Sequence, residues 1–395
     1  MPSPPDRLSS CRDAHPPDLG ARVQEWFKMP SQGINFSLGL PAMLLLPLAG
    51  AAKLFHWNAT IVLVVNIVAI IFLSEAISVS SDELADHLGE LQGALLSATF
   101  GNTVELTAGI LALVHGEIQF AQSVMVGSIL SDILLLQVFG VCLITASYNK
   151  NVLLFNGALA KTLSSLMMIT AVALLLPTAL YSTFPVSEID DRVLSFSRGT
   201  AVVLLALYAG YLYFYLGTHN YLFISSDSAG SDDEDDAKPT PHEPASMASS
   251  IIRLTTAVAA TIFCTELLIE STEEMAQTLG VSEVFIAIVF IPIASNSTEG
   301  VTVVASSKSG DTDSAIRVII DSLLQIGLFA IPFLVIVGWC MGEPMTLFFD
   351  SLQTVSMFLA VLVVNHLLRD GQYAYIHGVM LLALYSGLVA AFYTR

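Results

Sequence analysis

Charge is scarce in this chain. Only 12% of its 395 residues are Asp, Glu, Lys or Arg, whereas soluble domains carry about a quarter. Basic residues are the scarcer kind, 15 Lys and Arg against 34 Asp and Glu, for a net charge of −19. Such an acidic balance excludes nucleic acid as a partner. There are only four cysteines, and they lie far apart. Cys142, Cys264 and Cys340 fall in or beside apolar runs, so they read as small packing residues and exclude a disulfide or zinc framework. No His–Cys cluster offers a soft metal site. Neither H-E-x-x-H nor a paired Gly-x-Gly-Asp occurs, which argues against an intramembrane protease; no enzyme and no cofactor is expected. The first 35 residues lack the apolar core of a signal peptide and read as a flexible cytosolic tail.

What is present is apolar length. Hydrophobic residues make up 54% of the chain, and mean hydropathy is +0.71. Runs of about 20 apolar residues recur, the length that a hydrocarbon core of about 30 Å demands. Amphipathic alternation, the mark of soluble helices, is missing from them. The expected class is an all-α polytopic membrane protein. Eleven spans are expected: Phe36–Phe55, Ala59–Ser80, Gly93–Val114, Phe120–Ala146, Val152–Tyr181, Ser197–Gly217, Ser249–Glu270, Val281–Ser306, Asp313–Trp339, Met345–Leu368 and Tyr373–Tyr393. An acidic Ser/Gly/Pro-rich stretch, Ser225–Pro244, separates the sixth from the seventh. It reads either as a disordered, solvated linker or as a cation collector. With the N-terminus inside, eleven of the fifteen Lys and Arg residues fall on the inner side, as expected for cytosolic loops. The tail and the acidic loop are then cytosolic.

The two halves of the chain are related. Glu75, Glu83 and Leu88-Gly89 recur 191 positions later as Glu266, Glu274 and Leu279-Gly280. Asn102, Glu105, Gly116, Ser128, Ser131 and Phe139 recur 194 positions later as Asn296, Glu299, Gly310, Ser322, Gln325 and Phe333. Matched polar residues, not matched leucines, carry the alignment. An odd number of spans per half inverts one half relative to the other, the plan of secondary transporters with a midplane site. The expected organisation is a tail at 1–35, an extra helix at 36–55, a first five-helix repeat at 59–217, an acidic linker at 218–248 and a second repeat at 249–395.

The stretch Leu95–Val114 places Glu105 amid apolar residues, and a carboxylate inside a bilayer is costly and usually functional. Asn102 and Glu105 are three apart, so a continuous helix puts them on one face. Asn296 and Glu299 repeat the arrangement, which favours a function over a merely structural Glu105. Ser128, Ser131, Ser322 and Gln325 add oxygen. An all-oxygen site suits hard cations such as Ca²⁺. Two facing carboxylates cannot cheaply both be ionised without a cation, so protons and metal compete for the same oxygens. That competition is the chemistry of an antiporter. Asp132 and Asp321 are candidate extra ligands or proton carriers, Asp321 being one turn from Arg317. Glu75, Glu266 and Glu270 lie toward span ends, either as collectors at a cavity mouth or as solvated interfacial groups. His115 reads as interfacial.

At these residues the chain resembles the cation/proton exchanger family, the vacuolar Ca²⁺/H⁺ antiporters of fungi and plants. "GNTVEL" at Gly101–Leu106 is similar to that family's G-N-A-V-E-L. "GSILSD" at Gly127–Asp132 resembles G-S-I-L-S-N. "SNSTEG" at Ser295–Gly300 stands for G-N-A-A-E-H, and "DSLLQIGLFAIPFLVIVGW" at Asp321–Trp339 for G-S-x-x-Q-I-A-L-F-x-x-P-F-L-V-I-x-G-W. The resemblance runs from about Asn35 to the C-terminus. It implies an eleven-span fold and Ca²⁺ uptake into an acidic compartment in exchange for protons. It also implies a vacuolar membrane location and Glu105 and Glu299 as the alternating Ca²⁺/H⁺ and metal-binding pair. The departures are Gly300 for the motif histidine, Ser295 for a glycine, Ser297 and Thr298 for alanines, Asp132 for Asn and Asp321 for Gly. These leave three alternatives to Ca²⁺ selectivity: Mn²⁺ transport, Na⁺ or K⁺ exchange for protons, and a transport-dead regulatory homologue. Oligomeric state is not readable from the sequence.

Overall fold

The computed structural model describes residues 39–55, 57–88, 90–132, 152–154, 157–182, 190–215, 246–309, 312–369 and 372–394. The N-terminal tail, the acidic linker up to 245 and the second half of the expected fourth span, 133–146 with Phe139, lie outside the described residues, as does Gly310.

The chain is a helical membrane protein. Its helices are α1 (Gly39–Leu54), α2 (Ala59–Ala85), α3 (Glu90–Gly101), α4 (Thr103–Val114) and α5 (Ile118–Ser131), then α6 (Gly157–Tyr181), α7 (Asp190–Tyr213) and α8 (Met247–Glu270). They continue with α9 (Thr272–Leu279), α10 (Glu283–Ser295), α11 (Ser297–Ser309), α12 (Thr312–Gln325), α13 (Ile331–Met341), α14 (Ser351–Leu368) and α15 (Tyr375–Tyr393). Among the described residues seven helical segments are long and apolar enough to cross a bilayer, or up to nine when each of two bent helix pairs counts as one span. Large apolar side chains such as Leu44, Val64, Ile169, Val203 and Ile252 point outward, which only a lipid surround makes favourable. The span Ala315–Met341 is the most enclosed, and Ile376–Tyr393 the most peripheral.

Two ion pairs mark the two ends of the bundle. Lys53 Nζ reaches Glu270 Oε2 at 2.6 Å, tying α1 to the C-terminal end of α8. Arg253, at the other end of α8, pairs with Glu83 of α2. The two lie seventeen residues apart on α8, about 25 Å at 1.5 Å per residue, close to the hydrocarbon thickness. These ends are called the Lys53 face and the Arg253 face below.

Several span boundaries need correction. The Gly93–Val114 segment is not one helix: it breaks at Asn102 and bends by 61°. The Val281–Ser306 segment is interrupted at Asn296. Val152–Leu154 forms a three-residue strand, β1, antiparallel to β2 (Gln372–Ala374), with Leu153 opposite Tyr373. The helices after them therefore start later than apolar content suggests. Residues 343–350 are not regular helix, and α14 starts at Ser351 because Asp350 caps it, its Oδ2 accepting from Leu352 N at 2.9 Å and Gln353 N at 3.3 Å. Met345, Leu347 and Phe349 are nonetheless buried, so hydropathy could not mark this boundary. Conversely, α7 extends back to Asp190, and the charged side chains of Asp191 and Arg192 in its first turn are exposed.

Two π-helical segments, Ile286–Phe290 and Ile326–Ala330, precede Ile291-Pro292 and Ile331-Pro332. Proline has no N–H and disrupts the bond to the carbonyl four residues back. A π turn absorbs the mismatch, and such segments cluster at functional sites. Gly127 of α5 crosses the first of them so closely that an added Cβ would stand 2.7 Å from Ile288 Cα. This crossing seats the first half of the chain on the second.

Candidate functional site

The helix breaks create the site. Asn102 stands between α3 and α4 with φ −99° and ψ 28°, and Asn296 stands between α10 and α11 with φ −81° and ψ 8°. Both asparagines are hinges, not face-sharing partners of the glutamates within one helix. The correction has a chemical consequence. Glu105 and Glu299 each fall in the first turn of the helix that follows a break, where the positive end of the helix dipole favours negative charge.

The two halves interdigitate at this level. Ser128 Oγ donates to Glu105 Oε1 at 2.9 Å and also lies 3.1 Å from Asn296 Oδ1. Asn296 Nδ2 donates to Asp132 Oδ1 at 2.6 Å and to the Ser128 carbonyl at 3.1 Å. Ser322 Oγ donates to Asp132 Oδ2 at 2.8 Å. Ser295 Oγ lies 3.2 Å from Asn296 Oδ1 and also interacts with Glu105. Asn102 Nδ2 donates to Gln325 Oε1 at 2.9 Å. Asn102, Glu105, Ser128, Asp132 and Asn296 are all at most 4% exposed, so this network is shielded from solvent. A serine hydroxyl has one proton. Ser128 therefore cannot fully satisfy both Glu105 and Asn296, and the oxygens there outnumber the protons in the network.

Of the expected site residues, Glu105, Asn296, Ser128, Ser322 and Asp132 form one hydrogen-bonded cluster, and Asn102 pairs with Gln325 beside it. Ser131 is buried, and among the described residues its Oγ has no hydrogen-bond partner; the next residue, Asp132, takes the contacts with the second half. Glu299 lies within electrostatic reach of Glu105 and Asp132, with Oε2 buried and, among the described residues, not hydrogen-bonded. Among the described residues no three carboxylate, imidazole or thiolate groups are arranged to hold a metal ion; the donors converging here are chiefly carboxylate, amide and hydroxyl oxygens. Glu75 is deeper than expected. The helix α2 runs on past Ser80 to Ala85, which leaves Glu75 in electrostatic reach of Glu299 and of Asp82. Glu266 faces His115 across 3.4 Å toward the Lys53 face, and Glu270 is taken up by Lys53. Asp321 accepts a 2.6 Å hydrogen bond from Tyr211 Oη and does not join the central cluster. Ser295 is a site residue that sequence reasoning noted only as a departure from glycine; its polarity beside Asn296 was the available signal. Cys264 is buried and Cys340 exposed, both as free thiols.

Cavities approach from both faces. One of about 420 Å³ opens among Gln122, Ser123, Asp350 and Gln353, where Gln353 Nε2 donates to Ser123 Oγ at 2.8 Å. The other, of about 400 Å³, runs from Asp86 and Gly93 to Asp321 and Gln325. Its floor residue Gln325 is the hydrogen-bond partner of Asn102.

Broken helices meeting at a buried polar centre, with a cavity toward each face, define the architecture of a membrane transport protein. The chain belongs to the sodium/calcium exchanger protein family, whose sequence profile matches residues 58–217 and 249–394. It is 37% identical over 352 residues to the vacuolar calcium ion transporter of Schizosaccharomyces pombe, spanning 89% of this chain and 83% of that one. It is 34% identical over 358 residues to the Ca(2+)/H(+) antiporter of Synechocystis, spanning 88% and 94%. The vacuolar cation/proton exchanger 3 of Oryza sativa is 31% identical over 89% of this chain and 85% of its own length. Among solved structures, native YfkE superimposes with a TM-score of 0.75 at 24% identity over 91% of this chain and all of the other. The H+/Ca2+ exchanger CAX superimposes with a TM-score of 0.67 at 15% identity over 91% and 92%. These two likenesses concern the fold.

Proposed function

We propose that this chain is a secondary antiporter that exchanges Ca²⁺ for protons across the membrane of an acidic compartment, the vacuole being the compartment its relatives' names point to. The observation that carries the reading is the Ser128 junction: the Ser128 hydroxyl, with one proton, lies within hydrogen-bond distance of both the Glu105 carboxylate and the Asn296 amide oxygen, with Ser295 as the other hydroxyl beside them, all buried. The junction can be completed in two ways. A proton on Glu105 lets that carboxyl donate to Ser128 while Ser128 donates to Asn296. Alternatively, a hard cation binds the same oxygens directly. The two states exclude each other, which couples the fluxes. Glu105 and Glu299 are the exchanging pair and the metal ligands. Asn102, Asn296, Ser128, Ser322 and Gln325 supply or orient neutral oxygens. Ser131 has a buried hydroxyl in reserve, and Asp132 is a third buried carboxylate linking the halves.

The halves act as a first repeat at 59–217 and a second at 249–395, joined by the acidic linker at 218–248 and preceded by an extra helix at 36–55. The split of the family match at 217 and 249 supports this plan, and eleven spans follow from it. The Arg253 face is cytosolic by the distribution of Lys and Arg, which puts the N-terminal tail and linker in the cytosol.

The test is uptake of radiolabelled Ca²⁺ by vesicles with an acidic interior containing the purified protein. Uptake should collapse with a protonophore and vanish in Glu105→Gln and Glu299→Gln variants that remain folded. Normal exchange by either variant would sink the assignment. Proton release driven by Na⁺ or K⁺ without Ca²⁺ uptake would establish the monovalent alternative, which the added carboxylates Asp132 and Asp321 favour.

A further inference from the structure

Asp321 takes no part in the central cluster, yet it lies beside it. Its neighbour in sequence, Ser322, donates to Asp132 in the buried centre. Asp321 points some 100° away around α12, into the cavity that opens on the Arg253 face. Gln325 lies one turn further along α12 and lines the same cavity, so Asp321 and Gln325 share a helix face. Tyr211 Oη holds one carboxylate oxygen at 2.6 Å. Tyr211 is itself fixed, stacked on Tyr215 with ring centres 6.1 Å apart and flanked by Tyr208 at 6.3 Å. The carboxylate is therefore oriented by a rigid aromatic wall, and Ser97 and Asp86 add oxygen to the same cavity.

We infer that Asp321, oriented by Tyr211, is a second divalent-cation station in this vestibule, one helical turn short of the Gln325–Asn102 pair that borders the central site. The inference rests on the antiporter reading and deepens it. A cavity of about 400 Å³ admits a cation with much of its water, which suits Ca²⁺ and Mn²⁺ held by one or two carboxylates. Arg317 lies one turn toward the Arg253 face and already interacts electrostatically with Asp321. An arriving ion therefore competes with a tethered positive charge. The station is weak for that reason, and a way station must release what it captures. A glycine at this position, as in the motif that the chain resembles, would leave the vestibule without this carboxylate.

The experiment is equilibrium binding of radiolabelled Ca²⁺ to the purified full chain in detergent, paired with initial uptake rates against Ca²⁺ supplied to the Arg253 face. The Glu105→Gln/Glu299→Gln variant should retain weak saturable binding. Adding Asp321→Asn should remove it, adding Tyr211→Phe should weaken it about three- to tenfold, and adding Arg317→Gln should strengthen it by a similar factor. With the central glutamates intact, Asp321→Gly should raise half-saturating Ca²⁺ about three- to tenfold and leave the maximal rate nearly unchanged, a split that a purely structural role does not produce. Residual binding that ignores Asp321→Asn and Tyr211→Phe overturns the station. So does its absence from the double-glutamine variant while the wild type still binds and transports, an outcome that leaves the antiporter assignment intact. No binding by the wild type overturns both. Should Asp321→Asn not fold, the Tyr211→Phe comparison decides.

Discussion

At the scale of single residues, the central cluster is a shortage of protons among buried oxygens. Ser128 serves Glu105 and Asn296 with one hydroxyl, and Asn296 spends its amide on Asp132 and on a backbone carbonyl. Replacing Ser128 with Ala leaves the one Ser295 hydroxyl to serve both oxygens, so one of them is short of a donor, at a cost of about 1–3 kcal/mol for a buried unsatisfied group. The expected result is a folded protein with Ca²⁺ uptake slowed tenfold or more, read from initial rates in vesicles. Asp132→Asn keeps the shape but removes one charge; Ser322 still has an acceptor, whereas the Asn296 amide faces a neutral oxygen in place of a carboxylate. The halves should stay docked, while the pH at which Ca²⁺ binding is half-maximal shifts. An unchanged pH profile of Ca²⁺ binding would show that Asp132 is only a structural link.

At the scale of elements, two features position the cluster: helices that stop at an asparagine and π turns that precede a proline. Gly127 permits α5 to cross the π segment at Ile286–Phe290 with backbone nearly in contact. A Gly127→Ala change forces these elements apart, and overpacking of this kind costs about 1–3 kcal/mol. Thermal unfolding in detergent should shift down by several degrees, with transport lost more completely than stability because the site lies one residue away at Ser128. Pro292→Ala restores an N–H for the Ile288 carbonyl and should straighten the π turn. A variant at least as stable as the wild type but slower in exchange is expected. Equal speed would show that the π turn accommodates proline and does nothing more.

At the scale of the whole molecule, exchange runs on the difference in proton availability between two faces. Two pH units supply about 2.7 kcal/mol per proton, so a few protons suffice to move one Ca²⁺ uphill. Protonation of the carboxylates on the acidic side releases the cation, and deprotonation on the neutral side readmits it. Lowering pH on the Ca²⁺-binding side alone should therefore weaken apparent affinity, and raising it should strengthen affinity up to a plateau. Deleting Asp232–Asp236 from the acidic linker should leave that affinity unchanged if the segment is a solvated tether, as its composition indicates. A several-fold loss in vesicle uptake would make it a cation collector instead.

Composition alone determined the solvent: 12% charged residues and long apolar runs can be satisfied only in lipid. The recurrence of Asn102–Glu105 as Asn296–Glu299 determined which polar residues belong together, because a buried carboxylate is too costly to occur twice by neglect. Most span positions were legible for the same reason. Tertiary structure alone decided where those spans break. Asn102 and Asn296 fit a helical pattern as readily as a hinge, and their backbone angles depend on packing from the other half. The same holds for the start of α14, hidden in residues 343–350 whose apolar side chains are buried without helix. It holds too for the division of labour between Ser131 and Asp132, adjacent in sequence yet separated by about 100° of helix turn. Only the seating of α5 on the second half gives Asp132 its partners, whereas the Ser131 hydroxyl has none among the described residues. Nor did sequence separate Asp321 from the centre: its neighbour Ser322 faces Asp132, whereas Asp321 faces Tyr211, and that choice is made by the packing of α7 against the second half.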